Sequence, residues 1–182
     1  MADAQTQKNI DYKKPREDAR EQRKNPRRSF AREARVKPEF EQQIISIRRV
    51  TRVASGGRRF SFSVAIVAGT RKGSVGVGLG KAGDTSLAID KAMRDAKKKM
   101  IKIPLTKSMS IPFGLSAKFC GSVVQIIPTP GKGLVAGSAV RSVLELGGVN
   151  DVSAKILSRS KNKLNNAEVA IAALKKIPVH AA

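Results

Sequence analysis

Three glycines and a lysine, at Gly76-x-Gly78-x-Gly80-Lys81-Ala82, make the spacing in this chain nearest to a phosphate-binding loop. The chemistry of such a loop is demanding. A mononucleotide loop wraps Gly-x-x-x-x-Gly-Lys around the phosphates and follows it with Ser or Thr, whose hydroxyl helps hold magnesium. With Gly80-Lys81 aligned, the first glycine falls on Val75 and the hydroxyl on Ala82, so both requirements fail. A dinucleotide loop requires x-x-Gly after Gly-x-Gly, and that fails too. Glycine at every second position is instead the period of a β-strand. It marks a strand face approached closely by another backbone, either a packed helix or a nucleic acid. Lys81 then stands where a helix is about to begin and an anion is favoured.

A second candidate is Pro130-Gly131-Lys132-Gly133-Leu134-Val135-Ala136-Gly137-Ser138-Ala139. It faintly resembles the Gly-Leu-Gly-Ser-Ser-Ala phosphate loop of galactokinase and mevalonate kinase, but Val135-Ala136 breaks the Gly-Leu-Gly. Between positions 121 and 182 the side-chain carboxylates are Glu145, Asp151 and Glu168. Asp151 reads as a strand start and Glu168 as part of a helix cap, so no acid/base pair stands out. The loop is better read as a phosphate contact than as a kinase site. Lys132 and Arg141 would dock there, or Arg141 would pair with Glu145 one helical turn later.

The third candidate is the densest in charge. Arg48, Arg49, Arg52, Arg58 and Arg59 flank the turn Ser55-Gly56-Gly57. Guanidinium forks match phosphate geometry, and paired glycines let a hairpin backbone come close to RNA. Contacts of that kind read duplex shape, phosphates and 2′-hydroxyls. With 4% aromatic residues, the chain lacks the composition of a base-stacking platform. Cys120 is the only cysteine and reads as a small buried residue; His180, the only histidine, reads as a solvated tail residue. No metal site and no cofactor are expected from that pair.

The elements that position these residues follow from hydrophobic period. A strand over 44–53 meets the glycine turn. A second strand points Phe60, Phe62, Val64 and Ile66 one way and Ser61, Ser63 and Ala65 the other. The glycine strand puts Val75, Val77 and Leu79 opposite its glycines. A helix capped by Asp84 runs to about Met100, with Ala88, Ala92 and Ala96 on its inner side and Lys91, Arg94, Lys98 and Lys102 on another. The Lys97-Lys98-Lys99 triplet suits the helix dipole as well as it suits RNA. After Pro104 the second unit reads strand, strand, helix, strand, helix, with a buried strand over 121–127, a helix over 136–146 stopped by Gly147-Gly148, a strand over 152–156, and a last helix. Asn165 and Glu168 have capping-box spacing for that last helix, which ends near Lys176.

Composition narrows the partner. Across 182 residues, 36 Lys and Arg oppose 14 Asp and Glu, a net charge of +22 that a polyanion must neutralise. No run of about 20 apolar residues suggests a membrane span. Nucleic acid is therefore the expected partner, in a soluble intracellular protein. Residues 1–40, with 12 basic and 7 acidic residues and no apolar period, read as a disordered basic arm. That arm is either a solvated tail or a segment ordered by RNA. Residues 41–104 form the first folded unit, 105–178 the second, and 179–182 a tail. The folded body keeps 24 basic against 7 acidic residues, so its own surface must meet the polyanion. The fold class is α+β: a β-β-β-α unit, then a two-layer unit containing a strand–helix–strand step.

Taken in order, three sets of motifs closely resemble the small ribosomal subunit protein five family. These are Gly56-Gly57-Arg58-Arg59-Phe60-Ser61-Phe62, Val75-Gly76-Val77-Gly78-Leu79-Gly80-Lys81-Ala82, and Val140-Arg141-Ser142-Val143-Leu144-Glu145-Leu146-Gly147-Gly148-Val149. The resemblance spans about residues 43–176. It implies a double-stranded-RNA-binding-like N-terminal domain and a C-terminal βαβ domain. It implies binding to small-subunit ribosomal RNA near the neck and decoding region of cytoplasmic ribosomes. It further implies contact with ribosomal proteins four and eight, a place beside the messenger entry side, and an influence on decoding fidelity. The family's spectinomycin-resistance changes cluster in the hairpin matched by 53–58. One departure is local. The family often has Asn-Pro-x-Asn before its last helix, where this chain has Asn162-Lys163-Leu164-Asn165. Two other readings stand beside this one, a small-molecule phosphotransferase using residues 131–138 and a free RNA chaperone.

Overall fold

The structure, a computed structural model, describes residues 39–178. The basic arm expected over 1–40 and the tail with His180 lie outside the described residues, apart from Glu39 and Phe40. Strands β1 (Glu41–Ala54), β2 (Gly57–Gly69), β3 (Ser74–Ala82) and β4 (Ile101–Lys102) form an antiparallel sheet in that order. Helix α1 (Thr85–Lys98) lies between β3 and β4 in the chain. The register pairs Val64 with Gly80, Ile66 with Gly78 and Ala68 with Gly76. The apolar face of β2 and the glycine face of β3 are thus one surface, and α1 covers it.

That cover explains the glycines. Ala88, Ala92 and Ala96 of α1 are wholly buried. A Cβ on Gly78 would meet the Ala92 carbonyl oxygen and lie 2.9 Å from the Ala96 Cα. A Cβ on Gly80 would meet the Ala88 carbonyl oxygen and lie 3.0 Å from the Ala92 Cα. Of the two backbones the alternation allowed, the one present is the helix. Asp84 caps α1 as expected, accepting the Thr85 N–H at 2.7 Å. Hydrogen bonds from the Ser86 hydroxyl and the Thr85 amide hold its carboxyl below the ordinary range. Asp95 reaches from α1 to the free edge of β3 and accepts the Leu79 N–H at 3.0 Å. This satisfies a donor that an edge strand would otherwise expose.

The second sheet has β5 (Leu115–Phe119), β6 (Ser122–Pro128) and β7 (Val152–Ile156), all antiparallel in that order. Helices α2 (Ser138–Gly147) and α3 (Lys163–Leu174) complete the unit. The expected strand–helix–strand step is present, with α2 between β6 and β7 in the chain. β6 and β7 are themselves antiparallel neighbours. The parallel partner of β7 is Val135 alone, whose N–H donates to the Val152 carbonyl and whose carbonyl accepts the Ala154 N–H. Gly148 ends α2 with φ +75°, the left-handed stop expected from its pairing with Gly147.

Two local expectations fail. The cap of α3 is Asn162, whose side chain accepts the Leu164 N–H at 3.2 Å, and not Asn165 with Glu168. The helix starts one turn earlier than the capping-box spacing suggested. Cys120 is exposed, not buried. Phe119 pairs with Ser122, so Cys120 and Gly121 make a two-residue turn and Cys120 takes φ +51°.

The two sheets share one core. Val67, Val75 and Val77 of the first sheet pack in the same cluster as Val124, Val143, Leu146 and Leu174 of the second unit. A bulge in β1 between Ile44 and Ser46 turns Ile45 onto that cluster. The turn after β2 is fitted to the end of α2. Its Arg71 and Gly73 N–H groups donate to the Leu146 and Gly147 carbonyls at 2.9 and 3.0 Å. A helix C-terminus leaves such carbonyls without partners, and here another element supplies them. Gly69 and Gly148 make room, because a Cβ on Gly69 would meet Leu146 and one on Gly148 would meet Arg71. The Arg71 guanidinium bridges Glu41 at 2.7 Å and Glu145 at 3.9 Å.

Two substitutions test this account. Gly78→Ala drives a methyl group into α1 backbone that no side-chain change can move. Its thermal denaturation should show a loss of about 1–3 kcal/mol. Lys163 is the first residue of α3, where a proline's fixed φ fits and its missing N–H costs nothing. Asn162, at φ −74° and ψ 103°, already has the extended conformation required before proline. Lys163→Pro should therefore stabilise the chain by about 0.4–1 kcal/mol, read as a raised Tm.

Candidate nucleic-acid interface

β1 and β2 run well past the rest of their sheet. β3 stops at Ala82, opposite Phe62, and Phe62 pairs with Arg49. Beyond that row, residues 50–61 form a two-stranded ribbon with no third strand and no helix over it among the described residues. Its residues are exposed or half-buried throughout. Alternation then sorts its side chains. One face carries Arg48, Arg52 and Arg59 with Ser61 and Ser63. The other carries Arg49, Thr51, Val53, Arg58 and Phe60. Arg52 and Arg59 sit directly opposite each other. Like charges so placed repel unless an anion lies between or above them.

The turn needs its glycines for conformation and access, not for packing. Gly57 has φ +126°, and a Cβ on Gly56 or Gly57 would meet nothing within 4 Å. Ser55 completes the tip. Lys81 joins the ribbon through register, because Ser63 pairs with Arg48 on one side and Lys81 on the other. The structure thus brings Arg48, Arg49, Arg52, Ser55, Gly56, Gly57, Arg58, Arg59 and Lys81 into one projecting feature.

The remaining expected residues lie elsewhere. Lys91, Arg94 and Lys98 are exposed on α1, whose inner side is buried on the sheet; Lys91 reaches back to the end of β3, its Nζ donating to the Lys81 carbonyl at 3.4 Å, while Arg94 turns onto the Asp90 carbonyl of its own helix. In the Lys97–Lys99 triplet, Lys97 sits 4.9 Å above the Phe40 ring and Lys99 pairs with Asp95 at 2.7 Å. Lys132 is exposed in loop 129–133, and Arg141 is on α2. Arg141 does not take Glu145 as its partner; Glu145 faces Arg71 instead. Arg141 lines a depression with Ser138, Ser142 and Lys163. Lys163 was not singled out from the sequence, because an isolated lysine before a helix carries no signal until α2 is placed beside it.

The kinase-like loop is occupied by the protein itself. Asp151 Oδ1 accepts the Gly133 N–H at 3.0 Å, and the Asp151 carbonyl accepts the Thr129 N–H at 2.9 Å. A carboxylate of the chain holds the amide that a nucleotide phosphate would need.

With this geometry in view, the comparisons with known proteins are decisive. Residues 40–104 match the family described as ribosomal protein S5, N-terminal domain, and residues 117–181 match ribosomal protein S5, C-terminal domain. The chain is 41% identical over 157 residues to small ribosomal subunit protein uS5 of Mesomycoplasma hyopneumoniae, covering 86% of this chain and 72% of that one. It is 45% identical over 152 residues to uS5 of Synechocystis, covering 83% and 87%. It is 44% identical over 144 residues to uS5c of Cyanophora paradoxa, covering 78% and 83%. The chain belongs to the uS5 family. That family consists of ribosomal structural proteins and not enzymes.

In this uS5 chain the carboxylates are spent on architecture. Asp84 caps α1, Asp151 closes its loop, and Glu41 and Glu145 hold Arg71. Asp95 is held below the ordinary range by its bonds to Lys99 and to the Leu79 N–H. Among the described residues, none of the ribbon's arginines has an acidic partner within salt-bridge distance. The charge of the ribbon is therefore left uncompensated among the described residues.

Glu168 is the exception among the acids. Burial, with some help from the nearby Asp95 charge, pushes its pKa above the ordinary carboxylate range, although Lys99 and Lys175 pull the other way. A raised folded-state pKa means that the charged form opposes folding. The penalty is present above that pKa and is relieved as pH falls toward the unfolded value. Glu168→Gln should raise the Tm of the uS5 chain at pH 7 and leave it nearly unchanged below about pH 4, as a pair of melting series would read.

Proposed function

We propose that the chain is a structural constituent of the small ribosomal subunit in cytoplasmic ribosomes and binds its ribosomal RNA through the projecting ribbon. The observation that carries this reading is the ribbon itself. It presents Arg52, Arg58 and Arg59 beyond the reach of the sheet and helix that hold its base, with Arg48 and Arg49 at that base, and none of the five has an acidic partner among the described residues. Arg48, Arg52, Arg59 and Lys81 meet phosphates on one side, and the Ser55-Gly56-Gly57 tip allows close approach. Lys91, Arg94 and Lys98 on α1, and Lys132 and Arg141 on the second unit, make further contacts to other RNA segments. The uS5 family membership supports placement near the neck and decoding region, beside proteins four and eight and the messenger entry side. Assembly and accuracy of translation are the functions such a placement serves. The occupied loop at Gly133 removes the support for a phosphotransferase.

Counterion release gives the test. If about six phosphates are neutralised, affinity should fall on the order of a thousandfold between roughly 50 and 200 mM salt. The full chain should also co-sediment with small subunits in gradients at low salt. A nearly flat salt series, or a chain that stays in the soluble fractions, contradicts the reading.

A further inference from the structure

The two faces of the ribbon differ in chemistry, and one of them is not suited to phosphate alone. The face with Arg48, Arg52 and Arg59 carries serines between its arginines. Val50 is the aliphatic residue among them, and the face offers forked donors and hydroxyls but no ring to stack. The opposite face is built around Phe60. Phe62, two residues further along β2, is tucked against the core under α1. Phe60 has passed the end of that cover and stands 49% exposed. Val53 at 75% and Ile47 at 50% lie on the same face. Arg49 lays its guanidinium 4.7 Å from the Phe60 ring centroid. A planar cation over a ring makes one extended π surface, and its outer side is open to solvent.

A chain with six phenylalanines and no tryptophan leaves little aromatic surface to spare. Placing a ring on a ribbon that buries nothing else has no folding benefit to match its exposure. What an exposed ring beside a guanidinium recognises is another flat π face. In RNA this is a nucleobase free of its helix, and stacking of that kind tolerates any base. Resting on the RNA-binding reading above, we propose that the ribbon is two-sided. Arg48, Arg52 and Arg59 grip phosphates on one face, while Phe60 and Arg49 stack an unpaired base of the same RNA on the other. This revises the expectation that a chain so poor in aromatics does no stacking. One ring at one exposed place suffices for one base.

The test uses small subunits reconstituted with the full chain or its variants. Dimethyl sulfate reports base accessibility, and hydroxyl radicals report the backbone. Phe60→Leu keeps an apolar side chain but removes the π face. It should expose at least one base while leaving backbone protection unchanged. Phe60→Ala should weaken binding about 5- to 150-fold with an unchanged salt slope. Arg52→Ala and Arg59→Ala should each lower the salt slope by about one and lose backbone protection. If Phe60→Leu gives the wild-type base pattern while the arginine variants behave as stated, the stacking proposal is wrong and the RNA-binding reading stands. If Phe60→Leu also strips backbone protection, Phe60 only shapes the ribbon and the proposal is again overturned. If the arginine variants leave every protection and slope unchanged, both readings fall together.

Discussion

The contact between the glycine face of β3 and the alanine stripe of α1 sets the shape of everything around it. Gly76, Gly78 and Gly80 let the helix backbone descend to where side chains would normally stand, and Ala88, Ala92 and Ala96 meet them with single methyl groups. The helix is therefore close enough to seal one face of a narrow sheet with very little aromatic material. It is also close enough for Asp95 to satisfy the β3 edge at Leu79. Sealing that face leaves Val67, Val75 and Val77, on the other, to join the core of the second unit. A sheet held on both sides at its base can carry an unsupported extension. The ribbon of residues 50–61 is that extension.

The second unit is fixed to this base by backbone as much as by side chains. The turn after β2 completes the C-terminus of α2, and Arg71 adds its bridge to Glu41 and Glu145. Both hydrogen bonds lie in a contact that tolerates no Cβ at Gly69 or Gly148. Cores of this density respond to small changes of volume and transmit displacement. The basic surfaces of the two units are accordingly borne on one packed body, with Lys132 and Arg141 held at fixed distance from the ribbon. An RNA-binding protein that touches several segments gains from such registration, because the relative positions of its contacts are set before binding.

Much of this was legible in the residues. The alternation of Phe60, Phe62, Val64 and Ile66 gave the two faces of β2, and Asp84 gave the start of α1. The glycine period identified a close backbone approach, but it could not say whose backbone, since helix and nucleic acid both require a missing Cβ. What escaped detection depends on neighbours distant in sequence. The choice of Asn162 over Asn165 as cap is decided by where α3 docks, and both asparagines can cap. Arg141 lost Glu145 to Arg71, which lies in the turn after β2, seventy-four positions from Glu145. The parallel bridge between Val135 and Ser153 joins a loop residue to β7, and an isolated bridge has no period to reveal it. The arginine-rich hairpin was visible as a cluster, whereas the division of its faces needed the register of β1 against β2.

The central claim is that RNA meets the ribbon, and that the glycine strand is already occupied by the protein's own helix. Amide hydrogen exchange compares the two places in one experiment, on the free chain and on the same chain assembled into small subunits. The account predicts that residues 76–80 exchange slowly in both states, while residues 50–61 exchange rapidly in the free chain and slow down on assembly. Rapid exchange at 76–80 in the free chain, lost only on assembly and with no change at 50–61, would contradict it.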